Sequence, residues 1–152
     1  MPALLDGETA LFDSPLICEY LDSIHVKNGG KSFFKPEQMD YFKVALCHAQ
    51  ANGILNAAVS IAYENRRPEQ QRSPLWLERW SKAIHMSIER FSIAPLGGVD
   101  SINIASIATI AMLDYLDFRL PHIDWRSLNP QLTQWRKSLN DVAWVTETLP
   151  HD

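Results

Sequence analysis

The sequence predicts a mainly α-helical protein, in which a bundle of helices follows a short β-hairpin and one helix. Residues 103–119 are apolar on nearly every side of a predicted helix, a pattern typical of the helix at the centre of a bundle. Asp6-Gly7 lies between two short runs of strand-forming residues and predicts a hairpin turn. Ser14-Pro15 and Ser73-Pro74 each have the composition of a helix start.

The hairpin and the first helix are predicted within residues 1–24. Strands at residues 3–5 and 9–12 flank the turn. We expect Ser14 to cap the helix that follows, with Pro15 in its first turn. Residues 25–36 have the composition of a linker, because Gly and Pro interrupt the helical pattern there.

The remaining residues are predicted to be helical. Apolar spacing predicts helices at residues 37–65, 74–91 and 103–119, then from 130 to about 139, and a short segment near the end. Trp76 and Trp80 fall on the apolar stripe of the second of these helices, so we expect them to pack in the core. The sequence therefore predicts one all-helical bundle from about residue 37 to residue 150.

Composition excludes several classes of protein. The chain has 152 residues, enough for one domain or for a domain and a fragment. Its net charge of −4 argues against nucleic acid or an anionic membrane as the main partner. No basic start followed by an apolar core indicates a signal peptide. Residues 102–120 are interrupted by three charged side chains, which argues against a membrane span.

The two cysteines, Cys18 and Cys47, predict a reducing compartment, and we expect the cytoplasm. They form no CxxC pair, and the five histidines have no zinc-ligand spacing, so no metal site is predicted. Cys18 lies about one turn into its helix, where a helix terminus can lower the pKa of a thiol. The alternative is a small buried apolar residue, which is the commoner role of a free cysteine.

Asp13 and Ser14 are the best candidates for a binding site. A helix start offers free backbone N–H groups and a partial positive charge, both of which favour a carboxylate. Ser14 adds a hydroxyl donor, and Asp13 adds an anion suited to an ammonium group. A carboxylate and an ammonium on one carbon describe the γ-glutamyl end of glutathione. The alternative is that Asp13-Ser14-Pro15 serves as a helix cap alone.

Segments along almost the whole chain resemble bacterial glutathione S-transferases. They are Met1-Pro2-Ala3-Leu4-Leu5, Phe12-Asp13-Ser14-Pro15-Leu16-Ile17-Cys18-Glu19-Tyr20-Leu21-Asp22, Ile102-Asn103-Ile104-Ala105-Ser106-Ile107-Ala108, Leu116-Asp117-Phe118-Arg119-Leu120-Pro121, Ile123-Asp124-Trp125-Arg126 and Thr148-Leu149-Pro150. The resemblance implies a division into residues 1–24, the last hairpin and helix of a thioredoxin-like domain, residues 25–36, a linker, and residues 37–152, the helical C-terminal domain.

The resemblance also implies roles for individual residues. Asp13 and Ser14 match the family's γ-glutamyl clamp, and Pro2 matches its cis proline. Met1 and Pro2 then correspond to the segment that contacts the cysteinyl part of glutathione. Asn103 and Ser106 match the structural capping box of the central helix, with Ser where the family usually has Asp.

The reaction implied by the resemblance is conjugation of the glutathione thiolate to a hydrophobic electrophile. In the family a strand, a helix and a second strand precede the cis proline and carry the Tyr, Ser or Cys that activates the thiol. This sequence starts at Met1, so we expect it to be truncated, to lack an identifiable catalytic residue and to have weak or absent activity. The resemblance further implies a homodimer through the long helix and its successor.

Two questions stay open at the level of sequence. The electrophile pocket of the family lies against the long helix, where His48, Asn52 and Asn56 are candidates to face it. The alternative function is a non-catalytic module for helical dimerisation or protein interaction.

Overall fold

A computed structural model of the chain describes residues 2–150. The front of the chain is an antiparallel hairpin of β1 (Ala3–Asp6) and β2 (Thr9–Phe12), in which Ala3 pairs with Phe12 and Asp6 with Thr9. Gly7 takes a φ of 57° in the two-residue turn, a conformation that glycine adopts without steric cost. The hairpin packs against α1 (Ser14–Lys27). The predicted order of strand, turn, strand and helix is therefore confirmed.

Six further helices follow the linker within residues 2–150. They are α2 (Tyr41–Asn65), α3 (Pro74–Glu89), α4 (Ile104–Arg119), α5 (Trp125–Leu128), α6 (Pro130–Lys137) and α7 (Ala143–Glu147). Single 3₁₀ turns precede α3 at Glu69–Gln71 and α4 at Val99–Ser101. The helix predicted to open at Asn129-Pro130 is α6, whose cap is Asn129.

Helix α4 lies at the centre of the bundle, as its all-round apolar sequence predicts. Its main neighbour is α2, which also packs against α3. The buried apolar residues of α4 are Ile104, Ala105, Ile110, Met112, Leu113 and Leu116. Burial on several sides of one helix requires neighbours on several sides, and this requirement fixes the architecture.

Helix α2 buries one narrow stripe against the bundle. The stripe repeats every three and four residues: Val44, Cys47, Ala51, Ile54, Ala58 and Ile61. By length and composition alone α2 could cross a membrane, with a mean hydropathy of 1.2. A helix in a protein core meets the same criterion, and the buried stripe of α2 packs in this core. No other segment of this chain lies close to Gly53, on the opposite face, since a Cβ there would meet nothing within 4 Å.

The start of helix α2 differs from the sequence prediction. Helix α2 begins at Tyr41 rather than at residue 37, because the carboxylate of Asp40 accepts hydrogen bonds from Phe42 N and Lys43 N at 2.9 and 3.2 Å.

The prediction that Trp76 packs in the core is wrong. Trp76 lies in the first turn of α3, is 47% exposed and stacks on Trp80 with 5.5 Å between ring centroids.

Candidate functional site

The start of α1 has an unusual backbone at Asp13. Asp13 has a φ of 75°, and no other non-glycine residue in the described part of the chain has a positive φ. This conformation turns the chain from β2 directly into the helix, so that Asp13 is the N-cap and Ser14 the first helical residue. The prediction that Ser14 caps α1 is therefore wrong by one position.

The Asp13 carboxylate has no hydrogen-bond partner among the described residues, and neither has the Ser14 hydroxyl. A left-handed backbone at a residue other than glycine costs about 1 kcal/mol or more. Since no side-chain cap offsets that cost, helix capping does not explain the conformation. Strain of this kind is found most often at ligand-binding positions.

The hairpin brings the candidate residues of the N-terminal segment to one end of the sheet. Ala3 pairs with Phe12, so the same register carried one residue further puts Pro2 opposite Asp13. Pro2, Asp13 and Ser14 are all exposed there. Met1 lies outside the described residues, and the prediction of a cis peptide bond between Met1 and Pro2 therefore lies outside them as well.

Backbone amides add positive charge to the same corner. The first turn of a helix has no internal acceptors for its N–H groups, and Pro15 contributes none. The amides of Ser14 and Leu16 are thus available beside the Ser14 hydroxyl. Together with the helix dipole they form a site for a carboxylate, while the Asp13 carboxylate next to them suits a cation.

Asp13 lines a cavity of about 340 Å³. The first turns of α1 form one wall, and the linker and the start of α2 form the other. The lining residues are Asp13, Pro15, Leu16, Glu19, Phe34, Tyr41, Ala45, His48 and Ile104. Of the three candidates on the long helix, His48 lines this cavity, while Asn52 and Asn56 are not part of its wall.

Two aromatic residues of the cavity were not predicted from the sequence. Phe34, in the linker, packs edge-on against His48, with ring centroids 5.7 Å apart and an interplanar angle of 88°. Tyr41 begins α2 and lies on the same face as Ala45 and His48. The spacing of these three residues is the one sequence signal that groups them. Partial burial lowers the pKa of His48, so its imidazole is neutral at neutral pH.

A chain of hydrogen bonds fixes the linker beside the cavity. The Asp22 carboxylate of α1 accepts from Ser32 Oγ and from Phe33 N, both at 2.7 Å. The carbonyl of Phe33 in turn accepts from Ile104 N at 3.0 Å. These contacts tie α1, the linker and α4 together around Phe34.

The start of α4 is held by a capping box. Asn103 Oδ1 accepts from Ala105 N and Ser106 N at 2.9 and 3.2 Å, and Ser106 Oγ accepts from Asn103 N at 3.3 Å. Ser106 Oγ also accepts from Gly97 N at 3.1 Å. All of these groups are buried, so the box anchors the helix that carries Ile104 into the cavity wall.

A larger cavity, of about 1040 Å³, lies at the other end of α1. Its lining includes His25, Phe33, Ile107 and Trp144 and none of the candidate binding residues. The smaller cavity is the better candidate site because it contains the strained, unpaired Asp13.

Neither cysteine has the environment of a reactive thiol. Burial raises the pKa of Cys18, which contradicts the possibility of a lowered value. Burial raises the pKa of Cys47 to about 11. Both are free cysteines. Within residues 2–150 no group of three or more His, Cys, Asp or Glu side chains could hold a metal ion.

The fold is that of a glutathione transferase-like protein. A glutathione transferase family member from Pseudomonas fluorescens Pf-5, solved with bound S-(propanoic acid)-glutathione, is 32% identical, with a TM-score of 0.87 over 100% of this chain and 78% of that chain. A glutathione S-transferase from Methylobacillus flagellatus KT, solved with glutathione bound, is 26% identical, with a TM-score of 0.84 over 99% and 76%.

A curated relative agrees with these structures. The uncharacterized GST-like protein YibF of Escherichia coli strain K12 is 28% identical over 154 residues, which cover 99% of this chain and 75% of that protein. No protein-family model matches the chain. The identity and coverage of the Pseudomonas structure show that this chain belongs to the glutathione transferase family, as its sequence motifs predict.

Proposed function

We propose that Asp13 and Ser14 bind the γ-glutamyl end of glutathione. The observation that carries this proposal is the strained backbone of Asp13, whose carboxylate has no partner among the described residues. The ammonium of the ligand pairs with that carboxylate. The α-carboxylate of the ligand accepts from the Ser14 hydroxyl and the first amides of α1. Two solved relatives hold glutathione or a glutathione thioether, which supports this ligand class.

For intact relatives of this chain we propose conjugation of the glutathione thiolate to a hydrophobic electrophile as the reaction class of the site. For the 152-residue chain we propose weak binding and no conjugation. Asp13 and Ser14 are exposed, and the sheet that carries them has two strands within the described residues. An isolated hairpin is marginally stable in water, so the position of the clamp depends on the packing of this hairpin against α1. Even a small displacement of a bound thiol is costly in rate. The cysteinyl half of the ligand depends on Pro2 and Met1.

A second candidate function is a helical dimerisation or interaction module, which exposed apolar side chains favour. Phe42, Leu46 and Tyr63 on α2 and Leu75 on α3 are each more than half exposed. Large exposed apolar patches mark interaction surfaces. We propose that these faces of α2 and α3 pair in a homodimer, with Trp76 at the edge of the contact.

We also propose the division of the chain into residues 1–24, 25–36 and 37–152, and a cytoplasmic location. The connecting segment between the end of α1 at Lys27 and the start of α2 at Tyr41 supports the first proposal. The two free thiols support the second, because a reducing compartment preserves them.

A binding titration with glutathione tests the proposed clamp. Asp13→Asn keeps a residue that tolerates a positive φ, so the variant retains the turn while it loses the anion. We expect the dissociation constant to rise about tenfold or more, since a charge-assisted contact is lost. Glu8→Gln, in the exposed hairpin turn, is the matched control and leaves the affinity unchanged. Equal affinity of the Asp13→Asn variant and the parent chain would contradict the clamp.

A further inference from the structure

We propose that Tyr20 is a positioning residue for the clamp, because its phenol ties α1 to the turn end of the hairpin and thereby holds Asp13 in its strained conformation. The inference rests on the proposed binding of glutathione by Asp13 and Ser14. It adds to that function a residue that acts on the ligand only through the backbone of Asp13.

Strand β2 and helix α1 form two arms that meet at Asp13. The strand ends at Phe12 and the helix begins at Ser14, so the backbone of Asp13, with its φ of 75°, sets the angle between them. The carbonyl of Asp13 accepts from Ile17 N at 3.0 Å, which joins Asp13 to the first turn of the helix. A change of φ at Asp13 therefore swings the hairpin relative to α1.

A hydrogen bond between Tyr20 and Asp6 closes the open side of this angle. The Tyr20 hydroxyl donates to Asp6 Oδ2 at 2.6 Å. Asp6 pairs with Thr9 at the turn end of the hairpin. The rise per residue of a strand and of a helix places both ends of this bond roughly 10 to 14 Å along their arms from Asp13. The bond therefore restricts the angle at Asp13.

The phenol of Tyr20 is a donor at neutral pH. Its hydrogen bond to the Asp6 carboxylate raises the pKa of Tyr20, so the hydroxyl stays protonated. A hydrogen bond to an ionised acceptor is also stronger than one between neutral groups.

Few other contacts restrain the angle. Within residues 2–150 this is the one side-chain hydrogen bond between the hairpin and α1. No residue of α1 is fully buried, and Leu5 and Phe12 of the hairpin are largely exposed. The strain of a positive φ and the net value of one hydrogen bond are similar in size. Loss of the Tyr20 bond is therefore enough to let Asp13 relax and to move its carboxylate away from the amides of α1.

NMR of the 152-residue chain without ligand tests the positioning role. At a positive φ the amide proton and the Hα of one residue lie closer together than at a negative φ, so the NOE between them is stronger. We expect a strong NOE of this kind at Asp13 in the parent chain and a weaker one in Tyr20→Phe. Asp6→Asn keeps an oxygen that accepts from the phenol and suits the turn, so it is expected to retain the strong NOE. Tyr63→Phe on α2 is the matched control.

Titration with glutathione, followed by NMR, connects the backbone of Asp13 to binding. We expect the dissociation constant to rise about threefold to tenfold in Tyr20→Phe, the value of one hydrogen bond. Asp6→Asn is expected to recover most of the parent affinity, and Tyr63→Phe all of it. The double variant Tyr20→Phe/Asp6→Asn is expected to bind as weakly as Tyr20→Phe, because both changes act on one contact.

Each outcome bears on one proposal. A Tyr20→Phe variant that keeps the strong NOE at Asp13 overturns the positioning role, and so does one that keeps the parent affinity while Asp13→Asn loses it. If Asp13→Asn leaves the affinity unchanged, the clamp itself is wrong, and the role of Tyr20 in binding falls with it. Circular dichroism of each variant, matched to the parent chain, verifies that the helices are intact.

Discussion

Arg136 forms a buried ion pair with Asp114 and so fastens α6 to the central helix. Arg136 Nη2 lies 2.9 Å from Asp114 Oδ1, and its Nε lies 3.2 Å from the same oxygen. The side chains are 12% and 9% exposed. Burial raises the pKa of Asp114 despite the neighbouring guanidinium, so solvent contributes little to stabilising this carboxylate.

We expect Arg136→Leu to lower the free energy of unfolding by about 3 kcal/mol, because it leaves the Asp114 carboxylate buried without a partner. Urea denaturation followed by circular dichroism measures the change. Arg126→Leu is the control, since its pair with Asp117 at 2.7 Å is about half exposed and is worth less than about 1 kcal/mol. Equal losses in the two variants would show that burial does not set the strength of these pairs.

Removal of the Ser106 hydroxyl from the capping box is expected to lower the stability of the protein. Ser106→Ala leaves the buried N–H groups of Gly97 and Asn103 without an acceptor, and we expect a cost of about 2 kcal/mol in denaturant unfolding. The control is Ser60→Ala on α2, where the hydroxyl bonds only to the helix carbonyl of Asn56 and its loss costs almost nothing. A Ser106→Ala variant as stable as Ser60→Ala would contradict the anchoring role.

Glu64 makes stability depend on pH. Its carboxylate accepts from Ser73 N at 2.6 Å and pairs with Arg67 at 3.2 Å, and these contacts hold the pKa of Glu64 below its ordinary value of 4.5. A depressed pKa in the folded state gives stability that is present above the unfolded value and is lost as pH falls through the folded one. We therefore expect the difference in stability between the parent chain and Glu64→Gln to shrink as pH falls below 4.5. A difference that stays constant through this range contradicts the assignment.

The exposed faces of α2 and α3 predict a dimer. At tens of micromolar we expect sedimentation equilibrium to detect dimers, which corresponds to an association free energy of roughly −6 to −8 kcal/mol. Phe42→Glu places a charge on a side chain that is 78% exposed in the isolated chain, and we expect it to give a monomer. Lys43→Glu is the charge-changing control, next in sequence to Phe42. A parent chain that stays monomeric at these concentrations contradicts the proposed interface.

Most of the fold could be predicted from sequence because its elements have local signals. The hairpin follows from Asp6-Gly7, and the central helix follows from its apolar surface on all sides. The predicted start of a helix was less accurate where two neighbouring residues are both suited to cap it. Asp13 rather than Ser14 caps α1, because its positive φ is a tertiary feature that composition does not reveal.

Some residues of the candidate site could likewise be predicted from the sequence, and others could not. Pro2, Asp13 and Ser14 are close in the hairpin and its helix, so their motifs could identify them. Phe34 of the linker contacts His48 of α2, and no local pattern predicts a contact between these two segments. Trp76 illustrates the opposite error, since core spacing on α3 does not distinguish a buried side chain from an exposed one.

The rate of thioether formation from glutathione and a reactive aryl halide tests the central claim most directly, namely that the 152 residues bind glutathione weakly through Asp13 and Ser14 without activating its thiol. We expect a rate equal to that of the uncatalysed thiol reaction at every protein concentration. A rate that rises in proportion to the protein, and that Asp13→Asn lowers, would contradict it and would show that this chain is itself a conjugating enzyme.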